Sequence, residues 1–173
     1  MSFSIAATIS RWLAPQRELS CSWFLWRRLT ARLRERGRNA SRESGAFLLG
    51  FLEPGGAARI VDFVLYDDLD PHSLDTGIIR FDGKNFGKLW STCRERNLTV
   101  VADVHVHPGG SGQSPSDRAY PMVSQAGHLA LILPDFARAP ILREDIGIYR
   151  YLGGGNWHSV PHAHRRRFFN IGL

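Results

Sequence analysis

The sequence predicts one domain of mixed α/β (α+β) class, with helices packed on a central sheet. Three observations lead there. At 173 residues, the chain supports one hydrophobic core and falls short of two ordinary domains. Apolar runs of strand length, bounded by glycine and polar turns, alternate with two segments whose apolar residues recur at helical spacing. Hydrophobic residues at 43% and charged residues at 22% match a chain that buries a core, and argue against wholesale disorder.

Taken in order, FSIAATI (3–9) opens with alternation and predicts a short strand before a turn at Pro15. In SWFLWRRLTARLRERG (22–37), Trp23, Leu25, Trp26, Leu29 and Leu33 line one helix face, with Ser20 or Ser22 as cap and Gly37 as stop. The aromatic residues Trp23, Phe24 and Trp26 are expected in the core, with the alternative that part of this helix docks a partner. GAFLLGFLE (45–53) reads as a buried strand and ARIVDFVLY (58–66) as a second, joined by a glycine turn. Residues 67–76, DDLDPHSLDT, read as a polar loop. Phe86, Leu89, Trp90 and Cys93 predict a helix over about 84–96. NLTVVADVHVHP (97–108) reads as a strand, followed by a short helix from near Pro115 and by strands in HLALILPD (128–135) and DIGIYRYL (145–152).

Composition excludes several function classes. No run of about 18 or more apolar residues occurs, so a membrane span is not supported. The opening MSFSIAATISRWLAPQ places its first arginine after its apolar residues, unlike a secretory leader, and a cytoplasmic location is expected. Cys21 and Cys93 show no paired metal spacing and read as reduced, buried thiols. A net charge of +6 and a pI near 10.0 raise the question of a nucleic-acid partner, but the basic residues are dispersed and no recognised binding fold accompanies them. All but Lys84 and Lys88 of the 22 basic residues are arginines, which genome composition accounts for most simply. So few lysines also leave the protein a poor target for isopeptide tagging.

The chemistry concentrates in DVHVHPGGSGQSPSD (103–117). On a strand, alternate side chains share a face, so His105 and His107 project together, with Cα atoms roughly 6.5–7 Å apart. Two imidazoles so placed reach one metal ion at about 2.0–2.1 Å each. Pro108 ends the ladder where the histidines sit, the glycine-rich loop folds back, and Asp117 at the start of the next helix supplies a carboxylate. Two histidines and one aspartate leave a fourth tetrahedral position to water, the ligand count of a catalytic zinc site. Asp103 shares the histidine face and forms a rival ligand set in place of Asp117, but a carboxylate two residues before the first histidine fits better outside the ligand shell, orienting a histidine or contacting substrate. Amide hydrolysis also needs a carboxylate base near the metal but unbound. Glu43, just before the first core strand, is the candidate, although Glu53, Asp62 and Glu95 are equally eligible on chemistry alone.

With Glu43 before a strand of Gly-x-x-Leu-Leu-Gly type, then His105-x-His107-Pro108, then Ser114-x-x-Asp117, the chain resembles the JAMM (JAB/MPN+) zinc metallopeptidases. The resemblance covers a core of about 25–152, leaving an N-terminal extension (1–20) and a basic C-terminal tail (153–173) within a single domain. It implies a curved mixed β-sheet flanked by helices, like that of cytidine deaminases. It further implies Zn2+ held by His105, His107 and Asp117, Glu43 as general acid/base, and Ser114 as an oxyanion contact. The spacer PGGSGQ, six residues, is one shorter than the family commonly has, which leaves Ser116 and Ser111 as fallbacks for Ser114. A stand-alone domain of this kind is most similar to bacterial members, some of which accompany ubiquitin-like conjugation genes in antiphage operons. That similarity implies a deubiquitinase-like isopeptidase that releases or processes a ubiquitin-like protein, with conjugation enzymes of the same operon as further partners. Cleavage of a sulfur-carrier protein or small peptide conjugate is the second reading, and a non-catalytic MPN scaffold the third.

The remaining histidines are assigned no metal role. His162 and His164, in PHAHRRR, repeat the His-x-His spacing but are followed by arginines and by no carboxylate. His128 is expected to pack in the core, and His72 and His158 to lie in polar loops.

Overall fold

A computed structural model describes residues 17–38, 41–138 and 140–172; the strand expected over 3–9 and the turn at Pro15 lie outside them. Strand β1 (Leu19–Ser22) leads directly into helix α1 (Trp23–Arg36). The Ser22 hydroxyl accepts the Leu25 N–H at 3.2 Å, capping α1 as a serine at this position does, and the Gly37 N–H closes the last turn on the Leu33 carbonyl at 2.9 Å. Leu25, Trp26, Leu29 and Leu33 are buried against the sheet. Trp23 and Phe24 are not: 45% and 72% exposed, they sit in the first turn. Trp26 packs edge-on against Phe169, ring centroids 5.2 Å apart, while Trp23 and Phe24 pack on each other at 5.1 Å.

Strands β2 (Gly45–Leu52) and β3 (Ala58–Leu65) form an antiparallel pair. Residues 45–50 of β2 are all buried, because one face meets the α1 core and the other a second core containing Phe47, Leu49 and Leu89. The expected loop after β3 is partly ordered. Tyr66–Leu69 form a short helix, α2, and buried Asp70 accepts the His72 N–H at 3.2 Å and the Asp82 N–H at 2.9 Å, tying both ends of a loop that the sequence suggests is merely polar. Helix α3 (Phe86–Arg96) follows a 3-10 turn, and Asn97 ends it in the left-handed conformation with φ 52°.

Strand β4 (Thr99–Val106), helix α4 (Pro115–Ala119), strand β5 (Leu129–Leu133), strands β6 (Gly147–Gly153) and β7 (Asn156–Ser159), helix α5 (His162–Phe168) and strand β8 (Phe169–Gly172) complete the fold. The single mixed sheet runs β7-β6-β5-β4-β2-β3-β1-β8, with β4 parallel to β5 and antiparallel to β2. This is the α+β class that the alternation of elements predicts.

Residues 153–172, whose order the sequence leaves open, carry regular structure. Strand β8 pairs in parallel with β1, and Leu19 and Phe169 are each fully buried, so both ends of the described chain belong to the core. Apolar Phe168, Phe169 and Ile171 drive this, while Arg166 and Arg167 just before them are exposed on α5. The histidine pair 162/164 therefore lies on a helix, where residues two apart diverge by about 200°. His158 falls on β7 rather than in a loop. Among the described residues, no helix is long and apolar enough to cross a membrane.

Gly45 bears directly on the site, since it pairs across the sheet with His105. A Cβ there would lie 2.3 Å from the Tyr66 ring and 2.7 Å from the Val104 carbonyl oxygen. Gly45→Ala is expected to cost about 1–3 kcal/mol through overpacking, read as a lowered midpoint in chemical denaturation.

Candidate metal centre

Strand β4 ends at Val106, one residue before His107, because Pro108 has no N–H with which to continue the ladder. His105 and His107 nevertheless keep the shared face of the pleat, and their Nε2 atoms stand 3.0 Å apart. The main chain at His107 is gripped twice: its N–H donates to Leu133 O at 2.9 Å and its carbonyl accepts the Phe136 N–H at 2.8 Å. The grip comes from three consecutive non-glycine residues with left-handed φ, Asp135, Phe136 and Ala137 at 50°, 50° and 56°, a conformation costing about 1–2 kcal/mol per residue. Arg34 of α1 holds the turn by donating Nε–H to Ala137 O at 2.9 Å. Strain is thus stored where it fixes a site residue.

The chain then folds back without special glycine conformations, for Gly109, Gly110 and Gly112 are absent from the positive-φ residues. The loop is tied instead at Gly109 O by the Asp135 N–H and at Ser111 O by the Tyr149 hydroxyl, each at 2.8 Å. Ser114 caps α4, accepting the Asp117 N–H on its hydroxyl at 3.1 Å while its own N–H donates to Asp117 Oδ2 at 2.7 Å. This reciprocal capping box aims Asp117 at the histidines. Its Oδ1 lies 3.5 Å from His105 Nε2 and its Oδ2 3.3 Å from His107 Nε2.

These three residues offer one ligand atom each, all within 4.8 Å of one another, the one such cluster among the described residues. Ligands bound tetrahedrally at about 2.0–2.2 Å are roughly 3.3–3.6 Å apart. The histidine nitrogens stand slightly closer than this, at 3.0 Å, and each has a different Asp117 oxygen at 3.3–3.5 Å, so a small divalent ion between them needs only a slight adjustment of the side chains. The cleft's charge agrees: its lining carries the carboxylates of Glu43, Asp103 and Asp117 and no lysine or arginine, in a chain of net charge +6.

The other sequence candidates separate clearly. Glu43 Oε1 lies 3.9 Å from His107 Nε2, beside the cluster but outside it, and Oε2 accepts the Ile79 N–H at 3.4 Å. Asp62 is engaged elsewhere, by Arg28 and Arg96, and Glu53 faces Arg59. Ser114 and Ser116 line the cleft and Ser111 does not. Because the Ser114 oxygen accepts from Asp117, its hydroxyl proton stays available to a ligand. Asp103 lines the cleft but hydrogen-bonds Tyr66 and His128 rather than either histidine of the pair, a pairing between residues distant in sequence that local spacing could not reveal. The His128 side chain is 6% exposed and has a specific partner in Asp103.

Electrostatics favour cation binding. Burial works against an ionised Asp117, yet hydrogen bonds from His105 and His107 hold its carboxyl well below the usual carboxylate range. Burial likewise disfavours a charged His105, but the hydrogen bond and charge of Asp117, with Asp103 and Glu43 behind it, raise its pKa above 6.5. An imidazole binds metal only when neutral. Lowering the pH from about 8 through the raised His105 value should therefore weaken divalent-metal affinity, by about tenfold per pH unit for each proton displaced, measurable by chelator competition. In metal-free protein the same raised pKa stabilises the fold below about 6.5 and that contribution is lost as pH rises through the folded value.

Fold and cluster together define an α+β domain with a His-His-Asp group able to hold a metal ion. No protein-family model matches the chain. A protein described as "Probable metalloprotease y4jG", from Sinorhizobium fredii (strain NBRC 101917 / NGR234), is 38% identical over 77 residues, 44% of this chain and 48% of that protein. The match thus spans about half the relative's length. Among solved structures, a protein from Desulfitobacterium hafniense aligns with a TM-score of 0.61 at 12% identity, over 83% of this chain and 90% of its own. One from Salinibacter ruber (strain DSM 13855) aligns at 0.53 and 14%, over 82% and 88%. At such identities these two speak to the fold alone.

Proposed function

We propose that this chain is a metallopeptidase of JAMM type, with Zn2+ held by His105, His107 and Asp117, that hydrolyses the bond following the C-terminus of a ubiquitin-like protein. The observation that carries the reading is the convergence of three ligand residues with a second, unbound carboxylate, Glu43, 3.9 Å from His107 Nε2. The partial relative described as a probable metalloprotease supports peptidase chemistry in general.

Zinc in this cluster would polarise the scissile carbonyl and lower the pKa of water toward about 7. Glu43 is the base that takes the water proton and returns it to the departing amine, its carboxylate steadied by the Ile79 N–H. Ser114 donates its free hydroxyl proton to the oxygen on which negative charge develops. Ile78, Ile79, Met122, Ala130 and Trp157 line the cleft and offer apolar surface to an extended tail. The partners of such an enzyme are the ubiquitin-like protein, its conjugates and the conjugation enzymes encoded with it, in the cytoplasm.

The test is to present zinc-loaded protein with a folded ubiquitin-like protein fused through its C-terminus to a reporter, and with the tail peptide alone. Cleavage of the folded fusion at the tail junction is expected. Cleavage of the peptide but not the fusion moves the substrate to a small conjugate, and cleavage of neither sinks the peptidase reading.

A further inference from the structure

One buried group on the cleft face has no part in the proposed mechanism. Asp103 is 2% exposed and lies on β4 two residues before His105, on the same side of the pleat. Its Oδ2 accepts the Tyr66 hydroxyl at 3.1 Å and its Oδ1 meets His128 Nε2 at 2.7 Å. Tyr66 is fully buried, and the His128 side chain is 6% exposed. The three residues come from α2, β4 and the residue just before β5, so the carboxylate is fixed by two partners distant in sequence. It does not hydrogen-bond either histidine of the cluster, yet it forms part of the cleft lining beside His105.

Burying an aspartate is costly unless it is hydrogen-bonded, and this one is. Burial also keeps water from screening its charge. Its Cα lies roughly 6.5–7 Å from that of His105, close enough for a fixed anion to act on a divalent ion held there. We infer that Asp103, held by Tyr66 and His128, is a positioning residue whose fixed negative charge strengthens divalent-metal binding at His105, His107 and Asp117 without being a ligand. The inference rests on the metal reading above. It differs from the usual arrangement, in which an outer carboxylate hydrogen-bonds a ligand histidine directly.

Charge and geometry separate cleanly by substitution. Asp103→Asn keeps the size and an acceptor for Tyr66 but removes the charge; Asp103→Ser is a second neutral variant should the first fold poorly. Tyr66→Phe and His128→Gln remove or change a partner while the charge stays. Zn2+ affinity is measured for the full chain by competition with a chromophoric chelator, with thermal unfolding as the check on folding and the Co2+ absorption spectrum as the check on ligands. Neutral variants are expected to lose about 10- to 100-fold in Zn2+ affinity, the range typical of outer residues, with the Co2+ spectrum unchanged. Tyr66→Phe and His128→Gln are expected to stay within about threefold of wild type in Zn2+ affinity and to show their effect as lower thermal stability, since each disturbs a buried hydrogen bond. Unaltered affinity in both neutral variants would overturn the inference alone, as would an equal loss in Tyr66→Phe, which would make the effect geometric. An altered Co2+ spectrum in Asp103→Asn would make Asp103 a ligand and likewise overturn it. A wild-type protein that binds no Zn2+ would overturn the metal reading and this inference together.

Discussion

The Glu43→Gln variant is expected to lose hydrolysis of a ubiquitin-like fusion by roughly 10²- to 10⁴-fold, the usual contribution of a general acid/base, while retaining its metal. The substitution is nearly isosteric and keeps an oxygen for the Ile79 N–H, which Glu43 Oε2 accepts at 3.4 Å. What it removes is the ability to take a proton from water and return it to the amine. Glu43 lies 3.9 Å from His107 Nε2 and outside the three-residue cluster, so metal content should not change. The result is read as kcat with metal stoichiometry measured on the same sample. Activity within about tenfold of wild type would show that another group carries the proton.

Asp117→Ala is expected to weaken metal binding by about 10²- to 10³-fold. A site of four ligands worth about 10–16 kcal/mol in all gives up roughly a quarter of that with one. The carboxylate also accepts the Ser114 N–H at 2.7 Å, so the variant loses half of a capping box as well. Ser114→Ala separates the two effects: it should cost about 1 kcal/mol of stability through the cap and leave the metal in place. Full occupancy in Asp117→Ala would return Asp103 to consideration as the third ligand, against its observed pairing with Tyr66 and His128.

What the sequence discloses here follows the range of the forces involved. His105 and His107 are legible because a strand has period two and Pro108 marks its end. Asp117 is legible because Ser114-x-x-Asp117 is a local capping pattern. Glu43 has no such signal: it reaches the cluster only because β2 pairs antiparallel with β4, setting Gly45 opposite His105, and its selection among four acidic residues rested on the family resemblance. Asp103 and His128 meet because Asp103 is opposite Ala130 in the β4–β5 ladder, another long-range register.

What the sequence does not disclose has the same origin. Helical spacing groups Trp23 with Leu25 and Leu29, but α1 begins at Trp23 itself and 45% of the residue is exposed. The order of FFNIGL is not legible in the sequence at all, since it forms a strand by pairing with β1 at Leu19–Ser22, a contact between distant segments.

Reversible metal dependence tests the central claim most directly. The 173-residue chain is stripped with a chelator, assayed on the ubiquitin-like fusion, then reassayed after one equivalent of Zn2+ is restored. Hydrolysis is predicted to vanish and to return with the metal. Hydrolysis that persists undiminished in metal-free protein would contradict the assignment of His105, His107 and Asp117 as the reaction centre.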